Sequence, residues 1–289
     1  MTRLPVGLIR VAEAGRITPG MARITFEGAH LTGREPDRQV KLYFPKPGQD
    51  LPRLPDADGG FAGWYQAFTA IPEPERPWTR SYTVRAHDPG TSTVTVDFVL
   101  HGDSGEGPAT RWARSARPGD TLGMFGPSDM FARTVPLSAS LAEADWVLMA
   151  GDETTLPAIG TMIESLPDGV RVLAYVEVAD AAEEQRFDTR GEVTLRWLHR
   201  DGIPAGHSDL LTNAVTEAEF PAGSVFAWLG GEAGTVRALR RYLVGDRKID
   251  KTAIDFTGYW RAGLTQDDPP TGEDLADANE LLAAARDAV

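Results

Sequence analysis

The sequence predicts a two-domain chain, an antiparallel β-sheet or barrel followed by an α/β parallel sheet. Three observations carry this. The chain has 289 residues, and at roughly 100 to 200 residues per domain that length favours two domains, each able to bury a core. Up to about residue 130 the pattern is short alternating or β-branched runs broken by Gly and Pro, which reads as antiparallel strands. From Asp145 onward apolar runs alternate with helical periodicity, the signature of parallel strands covered on both faces.

In the first part the strands are Gly7–Val11, Met21–Phe26, Val40–Phe44 and Thr93–Val99, with residues 45–79 between them as a long proline-rich loop holding Phe61, Trp64, Tyr65, Phe68 and Trp78. Long loops of this kind are often functional. In the second part, Trp146–Ala150 is a buried strand and a helix follows through Leu156, Ile159, Met162 and Ile163. Val170–Val178, Val193–Leu198 and Val225–Leu229 supply further strands; helices are expected at Ala181–Gln185, His207–Glu219 and Gly234–Leu243. Ligands of such sheets sit beyond the carboxyl ends of the strands. After Gly263, Thr271 and Asp274 form a capping box with Asp in place of Glu. Leu275, Ala278, Leu282, Ala285 and Val289 then share one helical face, which packs on the body, joins a dimer or stays solvated.

Composition removes several function classes. There is no cysteine, so disulfides, thiolate metal sites and thiol redox chemistry are excluded, and any redox chemistry needs a bound cofactor. The five histidines, at 30, 87, 101, 199 and 207, show no metal-ligand spacing. A net charge of −13 opposes phosphate backbones, so nucleic acid is not an expected partner. No run of about 18 apolar residues occurs, so membrane insertion is not expected and the cytoplasm is the simplest address. The charge is uneven: residues 1–53 carry +4 and residues 262–289 carry −6. Arg38, Lys41, Lys46 and Arg53 are candidates for a basic mouth that receives an anionic ligand.

The chemistry-bearing block runs from Arg80 to Asp120. Arg80 offers a planar fork for phosphate oxygens, Tyr82 lies two residues on along the same strand face, and the Thr83 hydroxyl can address a ring nitrogen. Pro108 suits the first position of a helix, leaving the amides of Ala109 and Thr110 for a pyrophosphate. These parts suit a flavin dinucleotide. For nicotinamide binding there is no Gly-x-Gly-x-x-Gly; the turn after the first parallel strand is Ala150-Gly151-Asp152-Glu153-Thr154-Thr155. Thr154 or Thr155 is expected to cap the following helix. Glu177 ends the next strand, where an acid can bond a ribose hydroxyl and repel a 2′-phosphate, which tilts the donor towards NADH. Gly102-Asp103-Ser104-Gly105 matches a protease nucleophile only in letters, with no triad geometry to support it.

The order of the blocks is more informative than any one of them. Arg80-x-Tyr82-Thr83, Asp97-Phe98-Val99-Leu100-His101-Gly102, Gly107-Pro108-Ala109, Ala150-x-Asp152-Glu153-Thr154, Val176-Glu177-Val178, Gly231-Glu232-Ala233 and Gly258-Tyr259-Trp260-Arg261-x-Gly263 follow one another. In that order the chain resembles the siderophore-interacting proteins, or ferric-siderophore reductases, over roughly residues 5–263. The resemblance implies an FAD-binding antiparallel β-barrel over 1–135, a ferredoxin-reductase-like NAD(P)H-binding α/β domain over 136–263, and an acidic helical tail over 264–289. It implies that Arg80 contacts the flavin phosphates, Tyr82 stacks on the isoalloxazine and Thr83 approaches its reactive nitrogen. Asp97, Phe98, Val99, Leu100 and His101 would line the ribityl and pyrophosphate, and Gly107, Pro108, Ala109 and Thr110 would cap the phosphates. Asp152, Thr154, Glu177 and Glu232 would serve the nucleotide, and Trp260 would cover a ring of the cofactor.

The expected activity is reduction of a ferric siderophore, with FAD as redox centre, NADH or NADPH as donor and Fe(II) as product. No catalytic acid, base or nucleophile and no protein metal site is required. Two alternatives stay open: a flavoprotein fed by a ferredoxin-like carrier or serving another acceptor, and a siderophore-binding protein without turnover.

Overall fold

A computed structural model describes residues 4–29, 31, 35–57, 60–100, 107–127 and 135–287. The chain forms two compact units that part near residue 131.

The first unit is built on seven antiparallel strands: β1 Val6–Thr18, β2 Met21–Glu27, β3 Gln39–Phe44, β4 Trp78–Thr83, β5 Ala86–Asp88, β6 Thr93–Val99 and β7 Thr121–Phe125, in the order β4-β3-β7-β1-β2-β6-β5. Strand alternation sorts β2 and β6 cleanly. Ile24 and Phe26 point inward with Val94, Val96 and Phe98, while Arg23 lies opposite Asp97 and Thr25 opposite Thr95 on the other face. The sheet rolls over on itself: β4 sits at one end of the hydrogen-bonded order, yet the Tyr82 ring lies 4.4 Å from that of Phe98 on β6. Helix α2, Pro108–Ser115, covers the core with Ala109, Ala113 and Trp112.

The long loop expected over residues 45–79 contains a helix, α1 Gly60–Thr69. Phe61, Trp64, Tyr65 and Phe68 fall at i, i+3, i+4 and i+7, a helical period. Trp64 and Phe68 stack 5.3 Å apart and pack with Tyr43 and Phe125 in a second cluster.

The second unit holds α3 Leu137–Glu143, β8 Trp146–Asp152, α4 Leu156–Ser165, β9 Arg171–Val178, β10 Glu192–His199, α5 Leu210–Thr216, β11 Val225–Glu232, α6 Ala233–Gly245, β12 Ile254–Trp260 and α7 Gly272–Asp287. All five strands are parallel, in the order β10-β9-β8-β11-β12. The central β8 is buried at every residue, which its unbroken apolar run Trp146–Ala150 requires. Leu148 and Ala150 pack with Leu211 and Val215 of α5 and with Leu239 and Leu243 of α6. Val147 and Met149 point to the opposite face, and α4 lies against this strand. The antiparallel-then-parallel order is the one expected. Two helices are shorter than expected: Ala181–Glu183 is a single 3-10 turn, and α5 spans only part of 207–219.

Of the apolar face expected on the tail helix, Leu282, Ala285 and Val289 lie outside the residues whose side chains are described. Helix α7 turns Asp274, Asp277 and Glu280 towards the body and leaves Leu275 and Ala278 exposed. Its packed face is acidic because Arg237, Arg240, Lys251 and Arg261 wait opposite it. The box itself forms: Thr271 N donates to Asp274 Oδ2, and Asp274 N donates to Thr271 Oγ1.

Candidate functional site

In the first unit the candidate residues are set by the pleat of β4. Trp78, Arg80 and Tyr82 lie opposite Phe44, Leu42 and Val40 of β3, on one face. The Tyr82 ring is held by Phe98 and, at 6.4 Å, by Phe44. Burial pushes its phenol up from the ordinary value, against the charge of Arg80. Arg80 Nη1 donates to the Thr79 carbonyl, 2.8 Å away. Thr83 is 4% exposed and its Oγ1 has no hydrogen-bond partner among the described residues. A buried hydroxyl left unpaired costs about 1 to 3 kcal/mol, so a partner from outside the chain is the simplest reason to keep it.

The β6 residues divide by face. Both oxygens of Asp97 accept from Arg23, from Nε and Nη2 at 2.8 Å each, with Arg85 Nε 3.9 Å away. Its carboxylate is thus engaged in a cross-strand clamp. Phe98 and Leu100 point into the core, and the Leu100 amide donates to the Gly20 carbonyl. Their side chains therefore serve packing. His101 lies outside the described residues, as do residues 102–106. At the start of α2, Gly107 is the N-cap, without a side-chain cap, and Pro108 is the first helical residue. The amides of Ala109 and Thr110 have no acceptor within the helix by position. The Thr110 hydroxyl donates to the Val99 carbonyl at 3.4 Å and ties α2 to the end of β6. An unpaired buried hydroxyl, an aromatic plane, an arginine and a helix N-terminus fit a flavin dinucleotide.

In the second unit four of the five sequence candidates line one hollow, and Thr154 bonds to one of them. Asp152, Glu232 and Trp260 end β8, β11 and β12 and Glu177 is the last residue but one of β9, with Asp152 opposite Glu177 and Glu232 opposite Trp260. They line this hollow together with Arg200, Ala205, Gly206, Ser208, Leu211 and Thr235. Asp152 is its hub. Oδ1 accepts from the amide and hydroxyl of Thr154, and Oδ2 accepts from Glu232 N at 2.9 Å and Trp260 Nε1 at 2.7 Å. Gly231, at φ +120°, is required there because a Cβ would strike this carboxylate. Burial, reinforced by the charge of Glu153, raises the Asp152 pKa to about 6.

Thr155 occupies the N-cap position of α4 as expected, but its hydroxyl makes no cap bond. Asp152 itself caps the 3-10 turn that leads into this helix, and the Thr155 hydroxyl donates back to the Asp152 carbonyl at 2.6 Å. Glu232 caps α6 by accepting from Thr235 N at 2.8 Å, and its other oxygen accepts from Ala262 N at 3.1 Å.

Arg200 was not anticipated. It is 5% exposed. Nη1 and Nη2 donate to the two oxygens of Glu153 at 2.7 and 2.6 Å, and Nη1 also donates to Glu177 at 3.3 Å. Burial lowers its pKa, but the two carboxylates outweigh this and leave it raised. Burial raises Glu177, against Arg200 and donors from Ser208 and Leu211. The signal for Arg200 was its place directly after a parallel strand, the edge that gathered the other four. Trp260 forms a wall of the hollow: at Gly206, φ +76°, a Cβ would lie 2.9 Å from the indole.

Comparison with known proteins agrees with both halves. Residues 10–131 match the family described as siderophore-interacting FAD-binding domain, and residues 144–263 match siderophore-interacting protein. A solved siderophore utilization protein from T. fusca is 36% identical, with a TM-score of 0.75 over 92% of this chain and 97% of that one. The ferric vibriobactin reductase of Vibrio cholerae is 28% identical over 87% of this chain and 88% of its own length. The NADPH-dependent ferric-chelate reductase of Escherichia coli is 27% identical over 88% of this chain and 92% of its own. The fold alone is shared with an FAD/NAD-binding domain of a Vibrio cholerae nitric oxide dioxygenase. With both halves matched in order and a relative above 30% identity along almost its whole length, the chain belongs to the siderophore-interacting protein family.

Proposed function

We propose that this chain is an FAD-dependent ferric-siderophore reductase that draws electrons from NAD(P)H and releases iron as Fe(II) in the cytoplasm. The observation that carries the reading is the buried, unpartnered hydroxyl of Thr83 on the strand that also presents Arg80 and Tyr82. The names of the vibriobactin and ferric-chelate reductases support the same substrate class.

Bound FAD would supply what this cysteine-free chain lacks, acceptance of a hydride and delivery of single electrons. The protein's part is to bind and orient. Arg80 offsets phosphate charge, the amides of Ala109 and Thr110 donate to the phosphate oxygens, Tyr82 provides a plane fixed by Phe98, and Thr83 meets a polar ring edge. Iron arrives inside the substrate and needs no ligand from the chain. Reduction from ferric to ferrous weakens its hold on hard oxygen donors, which is how the chelate lets go.

The test is an anaerobic titration of the FAD-loaded protein with NADH, then NADPH, then a ferric siderophore, with a chromogenic Fe(II) chelator present. Flavin bleaching followed by stoichiometric Fe(II) capture is the expected result. A second reading draws on one observation: the strand-end carboxylates already have donors within the chain. A protein that neither nucleotide reduces, but a ferredoxin-like carrier does, would favour it. Failure to bind FAD at all would leave a siderophore-binding protein without turnover.

A further inference from the structure

Helix α7 is attached by charge. Arg237 of α6 donates through all three nitrogens: Nε to Asp277 at 2.7 Å, Nη1 to Glu273 at 3.0 Å and Nη2 to Asp274 at 2.6 Å. Arg240 Nη2 donates to Glu280 at 2.6 Å, with Lys251 Nζ 3.5 Å from the same oxygen. Arg261 Nη1 donates to Asp274 Oδ2 at 3.0 Å, and this guanidinium also holds the carbonyls of Thr265, Asp268 and Pro269. Over residues 272–280 the apolar side chain Leu275 faces away and is 53% exposed. The arginines are 16–17% exposed and the carboxylates Asp274, Asp277 and Glu280 21–38%, so water still reaches each pair from the carboxylate side; near-surface ion pairs contribute roughly 0.2 to 1 kcal/mol each and are screened by salt. A helix held in this way is readily displaced by a competing anion.

The surface beneath it is specific in shape. Asp274 lies between two arginines, one on each carboxylate oxygen. Burial raises its pKa, but the Thr271 donors and the two guanidinium groups win and hold it at about 2. Two planar forks converging on one anion is the donor geometry that phosphate oxygens match. Arg261 follows Trp260, and the next amide, Ala262 N, donates to Glu232 Oε1 at 3.1 Å; Trp260 and Glu232 both line the strand-end hollow, and Arg237 meets Arg261 at Asp274. We propose that Arg237 and Arg261 form a phosphate-binding subsite at the rim of that hollow, that α7 fills it with the Asp274 carboxylate, and that a phosphate of the pyridine nucleotide displaces the helix. This rests on the nucleotide reading of the hollow.

The subsite can be read without turnover. The full-length, FAD-loaded protein is titrated calorimetrically with adenosine 2′,5′-bisphosphate and, separately, with ADP, neither of which carries a nicotinamide. Asp274→Asn with Asp277→Asn frees the arginines and is expected to tighten at least one probe about tenfold. Adding Arg237→Gln is expected to remove the gain. Amide exchange over 272–287 in the unmodified protein should accelerate when the probe binds. A gain confined to the 2′-phosphate probe assigns the subsite to that group, and one shared with ADP assigns it to the diphosphate. No gain for either probe, or a gain that survives Arg237→Gln, overturns the subsite. Failure of both NADH and NADPH to bleach the flavin overturns the proposed function instead, and leaves the titration to judge the subsite alone.

Discussion

On β4 a buried hydroxyl has no partner among the described residues, whereas at the carboxyl ends of β8, β9 and β11 the carboxylates meet donors from their own chain. The difference separates two ways of building a binding surface. An unpaired polar atom is a cost that the empty fold bears and a ligand removes, so the first unit should gain stability from FAD. At the strand ends the carboxylates are engaged, although Arg200 Nε is buried without a partner among the described residues, so a ligand that takes up these carboxylates has to exchange bonds rather than complete them. Substitutions break the comparison at different depths.

The largest effect is expected at Arg200. Arg200→Met leaves Glu153 and Glu177 buried without their cation, a change that costs about 3 to 5 kcal/mol when a buried pair loses one partner. Urea unfolding followed by tryptophan fluorescence measures it. A loss under about 1 kcal/mol would mean that water already reaches these carboxylates and the hollow is no locked network.

Asp152 tests the same network through pH. Its folded pKa is raised from 3.8 to about 6, first by burial and then by Glu153. The unfolded chain therefore releases this proton near pH 4 while the folded one keeps it until near pH 6. Stability from this group is greatest below pH 4, falls as pH rises to about 6 and stays low above that. Roughly two pKa steps correspond to about 3 kcal/mol. Asp152→Asn lacks the titration, so the stability of the unmodified protein relative to the variant should decline between pH 4 and pH 6. A flat difference would show the carboxyl to be ionised throughout. The variant should also be weaker in absolute terms, because both oxygens of Asp152 face donors and an amide nitrogen cannot accept.

At Thr83 the sign reverses between empty and loaded protein. Thr83→Val removes an unpaired buried hydroxyl at nearly constant shape, so the FAD-free protein should be unchanged or about 1 kcal/mol more stable. FAD affinity should fall about tenfold, the worth of one hydrogen bond. Melting curves with and without FAD give both numbers. A variant destabilised without FAD would place an internal partner on the hydroxyl.

Much of this was legible because strand position encodes it. The i, i+2 spacing puts Arg80 and Tyr82 on one face of β4, and residues at the ends of parallel strands converge wherever the sheet is ordered, which gathered Glu177, Asp152, Glu232 and Trp260. What a strand end does not reveal is the bond partner. Arg200 reaches Glu153 across 47 residues, and Trp260 reaches Asp152 across 108. Local pattern therefore placed the carboxylates at the site without showing that they are already engaged. Helix α1 was readable from Phe61, Trp64, Tyr65 and Phe68, but the prolines on both sides masked that spacing. Asp97 illustrates the converse: its place in the motif block suggested ligand contact, while its pleat face delivers it to Arg23.

Helix α7 gives the sharpest test of pattern against partner, and the smallest effect. Leu275 and Ala278 begin an apolar stripe, and a stripe at helical spacing usually marks the buried face. Over residues 272–280 the face turned to the body is instead Asp274, Asp277 and Glu280, each half-buried, because the basic side chains that meet it come from α6, the turn before β12 and the residue after it. Four cations on one surface would repel one another and lose hydration under an apolar face, so the acidic stripe wins the contact. Leu275→Ser is therefore expected to change stability by less than about 0.5 kcal/mol and to leave amide exchange over 272–287 as it was. A loss near 2 kcal/mol, the worth of a buried leucine, would put the apolar stripe against the body and remove the charge-held helix on which the Arg237 and Arg261 subsite depends.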